Sequence, residues 1–309
     1  MKKIIAMGPN PAWQKSLFFK EFQPGEVNRA ECMDAYAAGK GVNFCRAARG
    51  FGAAEAILAQ FCGGFNGSLL ERALREEGIE FRSAATTTPT RCCTTVLDQR
   101  SGAMTELIEP SFTATAAEVD ELLRIFDGLL ADADGAALCG SLPGDTTPEL
   151  YHRAGAAARR HDLPLLVDAC KAIEPLLTAG GRIFIKINRA ELAALTGVSG
   201  ICNGIRTLFA RFPIAGAAIT DGAGAAFAGD GRRIVRYTLS EVEVVSPLGC
   251  GDSASAVLLS EIVNGEELFT AFRAALGAAC ANCLSARSGD FTRADADRLA
   301  AAIVMTAQE

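Results

Sequence analysis

The feature that most constrains the fold is an alternation repeated along the chain. Short apolar runs at Lys3–Met7, Ala56–Cys62, Ala136–Cys139, Leu165–Asp168, Ile183–Lys186 and Ala217–Thr220 are interleaved with longer alanine-rich stretches. The stretches at Gly41–Phe51, Leu69–Gly78, Glu118–Leu130, Glu149–His161, Arg189–Leu195 and Gly204–Phe212 carry apolar residues at helical spacing. A continuous apolar run reads as a strand buried on both faces, and strands joined through helices run parallel. The expectation is an α/β fold: a three-layer α/β/α arrangement around a mostly parallel sheet. Two regions break the alternation, at about 14–37 and 90–109. The second holds two β-rich segments, Thr94–Leu97 and Thr105–Ile108, separated by a turn at Ser101-Gly102. Strands without intervening helices fit poorly in a parallel sheet, so these regions are read as a small β-sheet projecting over one edge, a candidate lid. The last part reads as helices at Ser253–Val263, Leu268–Ser285 and Arg293–Thr306. No low-complexity linker or internal repeat divides the sequence, so 1–309 is read as one domain with the lid strands inserted.

Bulk properties exclude several classes. Half of the 309 residues are apolar and the net charge is −6, with no block of lysine or arginine. A surface that tracks nucleic-acid phosphates is therefore not expected. The apolar run after Lys2 and Lys3 is too short for a signal-peptide core. No run approaches the roughly 18 apolar residues of a spanning helix. The chain is expected to be soluble and cytoplasmic, with no membrane partner. Its eleven cysteines are scattered and odd in number, which points to reduced thiols. Cys280 and Cys283 form one C-x-x-C inside a run that reads as a buried helix. His152 and His161 are the only histidines, so a zinc site is not expected.

The most informative segment runs from Val244 to Ser253 and includes Gly249-Cys250-Gly251-Asp252 before an apolar helix. Two near-adjacent glycines at a helix start let backbone N–H groups converge where the helix dipole favours negative charge. Such a nest suits the charge that develops on a phosphoryl group in transfer. Asp252 is the carboxylate at its mouth and could accept a proton from an attacking hydroxyl. Ordinary helix capping explains the same residues without a ligand. Gly249 to Ala254 also matches the dinucleotide-binding pattern G-x-G-x-x-A, but Asn264-Gly265 and further helices follow where that motif needs a strand. A phosphate-binding loop of the form G-x-x-x-x-G-K-[ST] is absent.

Seven segments distributed along the chain decide between these readings. They are Gly8–Ala12; Val27-Asn28-Arg29 with Ala38–Asn43 and Arg46; Gly63–Gly67; Thr90-Arg91; Gly140–Pro143; Lys186–Glu191; and the loop ending in Asp252. In this order they resemble the phosphofructokinase-B family of ribokinase-like sugar kinases, and within it the 1-phosphofructokinase and tagatose-6-phosphate kinase branch. The resemblance implies the ribokinase-like fold, ATP as phosphoryl donor with Mg²⁺, and a small phosphorylated sugar as acceptor. It implies that Asp252 is the catalytic base and that the backbone of Gly249, Cys250, Gly251 and Asp252 forms the anion hole. Asn188 and Glu191 resemble the family's N-x-x-E motif, which positions Mg²⁺ indirectly through water and phosphate. Lys186, just before it, is placed to meet nucleotide phosphates. Thr220, Gly222 and Gly224 resemble the strand-end turn beside ATP. Asn282 is a candidate for the adenine side, and a helix-packing role serves it equally well. Gly39, Lys40, Asn43, Arg91, Arg29 and Ser141 match acceptor-site positions, the cations among them suited to an existing phosphate.

The chain departs from the family pattern in places. Gln14 stands where an aspartate usually contacts sugar hydroxyls, Ala38 replaces a glycine, and Ile187 and Cys250 replace commoner residues. Phosphoryl transfer is expected to be retained, and the departures bear on which sugar is used. The expected reaction is transfer of the γ-phosphoryl group to a hydroxyl of a phosphorylated ketohexose, of the fructose 1-phosphate or tagatose 6-phosphate type. A kinase of the same fold acting on an unphosphorylated sugar or a nucleoside is one alternative. A non-catalytic sugar-phosphate-binding relative is another. The resemblance also implies a homodimer paired through the lid sheets.

Overall fold

The computed structural model describes residues 1–146, 148–239 and 241–308. The chain opens with β1 (Lys2–Met7), β2 (Ala12–Phe19), β3 (Cys32–Ala38), α1 (Lys40–Phe51), β4 (Ala54–Cys62), α2 (Gly64–Glu76) and β5 (Glu80–Ala85). A hairpin of β6 (Cys92–Asp98) and β7 (Met104–Ile108) comes next. The middle alternates: α3 (Ala116–Leu130), β8 (Gly135–Cys139), α4 (Glu149–Arg160), β9 (Leu165–Asp168), α5 (Glu174–Ala179) and β10 (Ile183–Asn188). Then come α6 (Arg189–Thr196), α7 (Ile201–Arg211), β11 (Gly216–Asp221), β12 (Ala225–Gly229) and β13 (Ile234–Thr238). The chain closes with α8 (Cys250–Val263), α9 (Leu268–Asn282), α10 (Arg293–Ala301) and β14 (Val304–Gln308).

Among the described residues ten strands form one sheet, in the order β14-β13-β12-β11-β10-β9-β8-β1-β4-β5. From β5 to β11 neighbouring strands are parallel, and β12 to β14 extend the sheet antiparallel. The buried strands alternate between two cores. On β1, Ile4 and Ala6 pack on one side while Ile5 and Met7 pack on the other. Apolar residues of α1, α8, α9 and α10 cover the first face, and those of α3, α4, α5, α6 and α7 cover the second. Double coverage is why these strands read as continuous apolar runs. A second sheet has the order β3-β2-β6-β7, with β2 and β6 parallel. The fold is therefore the three-layer α/β/α arrangement with a smaller separate sheet.

The C-terminal end differs from the sequence reading. The helix expected over Arg293–Thr306 stops at Ala301, and Val304–Gln308 pairs antiparallel with β13. Ile303 is buried between the two, and the following Val304, Met305 and Thr306 cover a sheet edge that would otherwise be open. The helix expected over Leu268–Ser285 ends at Asn282. Among the described residues no single helix is long and apolar enough to cross a membrane.

Strand order reverses between β1 and β8: the chain builds outward from β1 to β4 and β5, then returns to β8 and proceeds the other way. In open α/β sheets the crevice beyond the carboxyl ends at such a reversal is where ligands bind.

Candidate active site

A cavity of about 310 Å³ occupies that crevice. Its walls come from the ends of β1 (Asn10), β8 (Gly140, Ser141) and β9 (Cys170, Lys171), from the start of α1 (Gly39, Lys40), and from Arg91 and Glu191. Arg91 enters just before β6. One of its terminal nitrogens donates to Asn10 O at 3.3 Å, while its buried Nε has no hydrogen-bond partner among the described residues. Asn10 Nδ2 donates to Ser111 Oγ (3.0 Å) and Ser141 Oγ (3.2 Å), which fixes this wall.

Asp168, the last residue of β9, is 1 % exposed and lies behind the cavity wall, beneath Lys40. It accepts from Lys40 Nζ at 2.8 Å, Ser255 Oγ at 2.6 Å and Lys186 Nζ at 3.5 Å. Burial alone would raise its pKa. The attraction of Lys186 and Lys40, with hydrogen bonds from Lys40 and Ser255, outweighs burial and holds the carboxyl below its ordinary value. Burial likewise opposes the charge on Lys40, but Asp168 and then Asp252 hold it firmly protonated.

Asp252 lies in the first turn of α8 and is 7 % exposed. Its Oδ2 accepts from Asn43 Nδ2 at 2.8 Å, so it does not cap its own helix. The N-cap is Gly249, at φ 80°, with no side-chain hydrogen bond at the cap. A side chain there would be strained in φ and would meet Ser288 Cβ at 2.5 Å. A Cβ on Gly251 would stand 2.7 Å from Lys186 Nζ. The two glycines thus allow an uncapped helix start to sit over a buried ammonium, a cationic nest for an anion. Asp252 is pushed above the ordinary carboxylate range by burial first and by the charge of Asp168 second. Lys40, the Asn43 hydrogen bond and Lys186 pull the other way.

Asn43 is itself held. Arg46, 9 % exposed, donates to Asn43 Oδ1 (3.2 Å), Ser288 O (2.8 Å) and Ala37 O (2.8 Å), and pairs with Glu77 at 2.7 Å. One guanidinium therefore links the second sheet, α1 and the loop after α9 behind Asp252.

On the other side of the nest is a cavity of about 500 Å³. Thr220, Gly222 and Ala223 of the β11–β12 turn, Val242, Val244 and Pro247, Cys250 and Gly251, and Leu276, Ala279, Cys280 and Cys283 of the α9 side line it. The wall is largely apolar.

Of the residues singled out from sequence, Gly39, Lys40, Arg91, Ser141 and Glu191 meet at the first cavity, and Thr220, Gly222, Cys250 and Gly251 at the second. Lys186 lies beneath the nest. Asp252 lines neither cavity and sits between the two helix starts that wall them. Several others are directed elsewhere. Gln14 donates to Thr95 Oγ1 (2.8 Å) and Lys15 O, inside the second sheet. Arg29 stands on the exposed β2–β3 loop. Asn43 serves Asp252 rather than the cavity. Ala38 ends β3 opposite Ala12 and lines neither of the two cavities. Asn282 is fully buried, donating to Leu248 O (2.8 Å) and accepting from Ser253 Oγ (3.1 Å) and Gly289 N (2.6 Å). It braces the nest and does not reach the apolar cavity; nor does Gly224. Asn188 and Glu191 form a capping box on α6: Asn188 Oδ1 accepts from Glu191 N, and Glu191 Oε2 accepts from Asn188 N, both at 2.9 Å. This leaves the other Glu191 oxygen uncommitted to the cap.

Sequence reasoning missed Asp168, Ser255, Asn10 and Lys171. The signal for Asp168 was present: a carboxylate closing an apolar run at the carboxyl end of a parallel strand has no role in the core. Asp168→Ala should cost about 3–5 kcal/mol of stability at neutral pH, because it removes the buried carboxylate with which Lys40 and Lys186 both pair. Urea denaturation of both proteins measures this. Asp168 has a depressed folded pKa, so its contribution is complete at neutral pH and fades as pH falls through that value. The difference between the two proteins should therefore narrow in acid.

The chain is similar to known proteins in sequence and in fold. The profile of the pfkB family carbohydrate kinases matches residues 11–294. A tagatose-6-phosphate kinase from Staphylococcus epidermidis is 26% identical over 269 residues, 84% of this chain and 86% of the relative. A 1-phosphofructokinase from Rhodobacter capsulatus is 28% identical over 272 residues, 86% of this chain and 85% of the relative. The crystal structure of phosphofructokinase-2 from Escherichia coli in complex with potassium superposes with a TM-score of 0.88 at 20% identity, covering 97% of this chain and 99% of that one.

Proposed function

The chain belongs to the pfkB family of carbohydrate kinases, a phosphofructokinase-like phosphotransferase, and from that membership we propose that it transfers the γ-phosphoryl group of ATP to a hydroxyl of a phosphorylated ketohexose. The acceptor is of the fructose 1-phosphate or tagatose 6-phosphate type. One observation carries this reading: a buried aspartate, Asp252, beside an uncapped nest, between a basic cavity and an apolar one.

The basic cavity suits the sugar phosphate. Arg91 has no ion-pair partner among the described residues and a buried unpaired Nε, so its charge awaits a ligand. A guanidinium fork matches a phosphate dianion. The apolar cavity suits the nucleotide base, with Thr220 and Gly222 along one edge. Between them the γ-phosphoryl group meets the amides of Gly251 and Asp252, with Lys186 Nζ behind Gly251, while the Cys250 N–H is directed to Pro247 O at 3.5 Å. These groups are fixed before the reaction begins, which is what makes electrostatic stabilisation effective. Asp252, anchored by Asn43, takes the proton as the acceptor oxygen attacks phosphorus. Its raised pKa brings the base closer to neutrality, where proton transfer from an alcohol is better matched. Glu191 has a carboxylate oxygen available at the cavity and would hold Mg²⁺ through water, with Asn188 fixing it by the capping box. Magnesium supplies neutralisation of phosphate charge. The second sheet is read as a lid that excludes water over the acceptor. Met33, Leu107 and Ile108 of that sheet are exposed, and β7 is an open edge, which supports pairing of two copies through their lids.

A coupled ADP-release assay with fructose 1-phosphate, tagatose 6-phosphate, ribose and a nucleoside tests the substrate class. Turnover confined to ribose or the nucleoside would overturn the phosphosugar assignment. Release with none of them would favour a binding protein. Asp252→Asn should lower kcat by roughly 10²–10⁴-fold with KM little changed, and near-normal turnover would remove Asp252 from the role. Arg91→Ala should raise KM for the sugar phosphate and leave kcat comparatively unaffected. An unchanged KM would count against the phosphate pocket.

A further inference from the structure

Eleven cysteines are free thiols among the described residues, and burial pushes the thiols of Cys45 and Cys139 up. Two others lie together. Cys250, the first residue of α8, and Cys283, the residue that ends α9, have their sulfurs 3.1 Å apart. Backbone on both sides fixes this approach. Val245 N and Ser246 N donate to Cys283 O at 2.8 and 3.2 Å. Asn282 Nδ2 donates to Cys250 Sγ at 3.3 Å and to Leu248 O at 2.8 Å. Both cysteines are half-buried and line the apolar cavity, so a small solute entering it reaches both sulfurs. The hydrogen bond between the two sulfurs draws Cys283 down to about 7, and the same contact, with burial, pushes Cys250 up. This contact favours the Cys283 thiolate, the form that attacks an oxidant.

We propose that Cys250 and Cys283 are a dithiol that hydroperoxides oxidise reversibly to a disulfide in the wall of the apolar cavity. The Cys283 thiolate attacks the peroxide; an S–O bond forms, the O–O bond breaks, and the departing hydroxide is protonated to water. Cys250 sulfur then attacks the sulfenic sulfur; an S–S bond forms, the S–O bond breaks, and hydroxide leaves with the Cys250 proton as a second water. Two thiols and one hydrogen peroxide give one disulfide and two waters. A dithiol reductant reverses the bridge by exchange. The sulfurs have to close from 3.1 Å to about 2.05 Å, which ties the start of α8 to the end of α9. The expected loss of phosphoryl transfer rests on the function proposed above; the bridge itself does not.

The test treats the full-length protein with hydrogen peroxide, without nucleotide or sugar, blocks remaining thiols with N-ethylmaleimide and maps peptides by mass spectrometry. The expected product is a Cys250–Cys283 crosslink that dithiothreitol removes, that persists in Cys280→Ser and that is lost in Cys283→Ser. Both residues carrying N-ethylmaleimide after oxidation, or Cys283 trapped by dimedone without a crosslink, would overturn the proposal. In the active enzyme, ADP release should fall in step with the crosslinked fraction and return with dithiothreitol. A crosslinked enzyme of unchanged activity overturns the regulatory consequence. A chain with no activity in either form counts against the kinase reading alone, because the mapping stands without it.

Discussion

The site depends on one buried carboxylate. Asp168 lies almost out of contact with solvent at the end of β9, and its ionised form persists because Lys40 and Lys186 meet it from α1 and β10. Ser255 adds a hydrogen bond from α8. Four elements from distant parts of the chain are thereby held at one point beneath the crevice. An isolated charge in such a place would neutralise. Here two lysines face two aspartates, Asp168 and Asp252, so the unliganded cluster balances. That balance leaves Arg91 and Lys171 as the cavity's cations without an ion pair among the described residues, and the uncapped start of α8 is the place where an added anion would be favoured.

Asp168 also tunes its neighbour. Both aspartates are buried, yet they move in opposite directions: Asp168 down, because two ammonium groups approach it closely, and Asp252 up, because burial and then the charge of Asp168 outweigh the groups that favour its ionised form. Two carboxyls whose surroundings drive them apart can divide the work; in the function proposed, one is a fixed counter-ion and the other the base. Behind Asp252 the chain Arg46–Asn43 fixes its orientation and reaches the second sheet through Ala37. A displacement of that sheet would be felt at Asp252 through these contacts.

Much of the fold was legible in the sequence. The runs at Lys3–Met7, Ala56–Cys62 and Leu165–Asp168 are apolar throughout because both faces of the sheet are covered, and that property is visible without coordinates. The C-terminal strand was not legible. Alanine-rich helix and edge strand share the run 293–308, and what separates them is the availability of β13 as a partner, a tertiary fact. The nest was legible from two glycines before a helix. The capping box at Asn188 and Glu191, the bracing role of Asn282 and the service of Asn43 to Asp252 were not, because a side-chain amide has the same letter whether it faces a ligand or a neighbour. Asp168 was present in the sequence as the polar end of an apolar strand; its importance came from Lys40, 128 residues away.

The pH dependence of kcat/KM for ADP release with a saturating nucleotide and a sugar phosphate tests the central claim most directly. Asp252 has to be ionised to accept a proton, and burial with the charge of Asp168 raises its pKa, so the acid limb of the profile should fall above the ordinary aspartate range. An acid limb at or below that range, or a flat profile through it, would contradict the assignment of the buried carboxylate as the base.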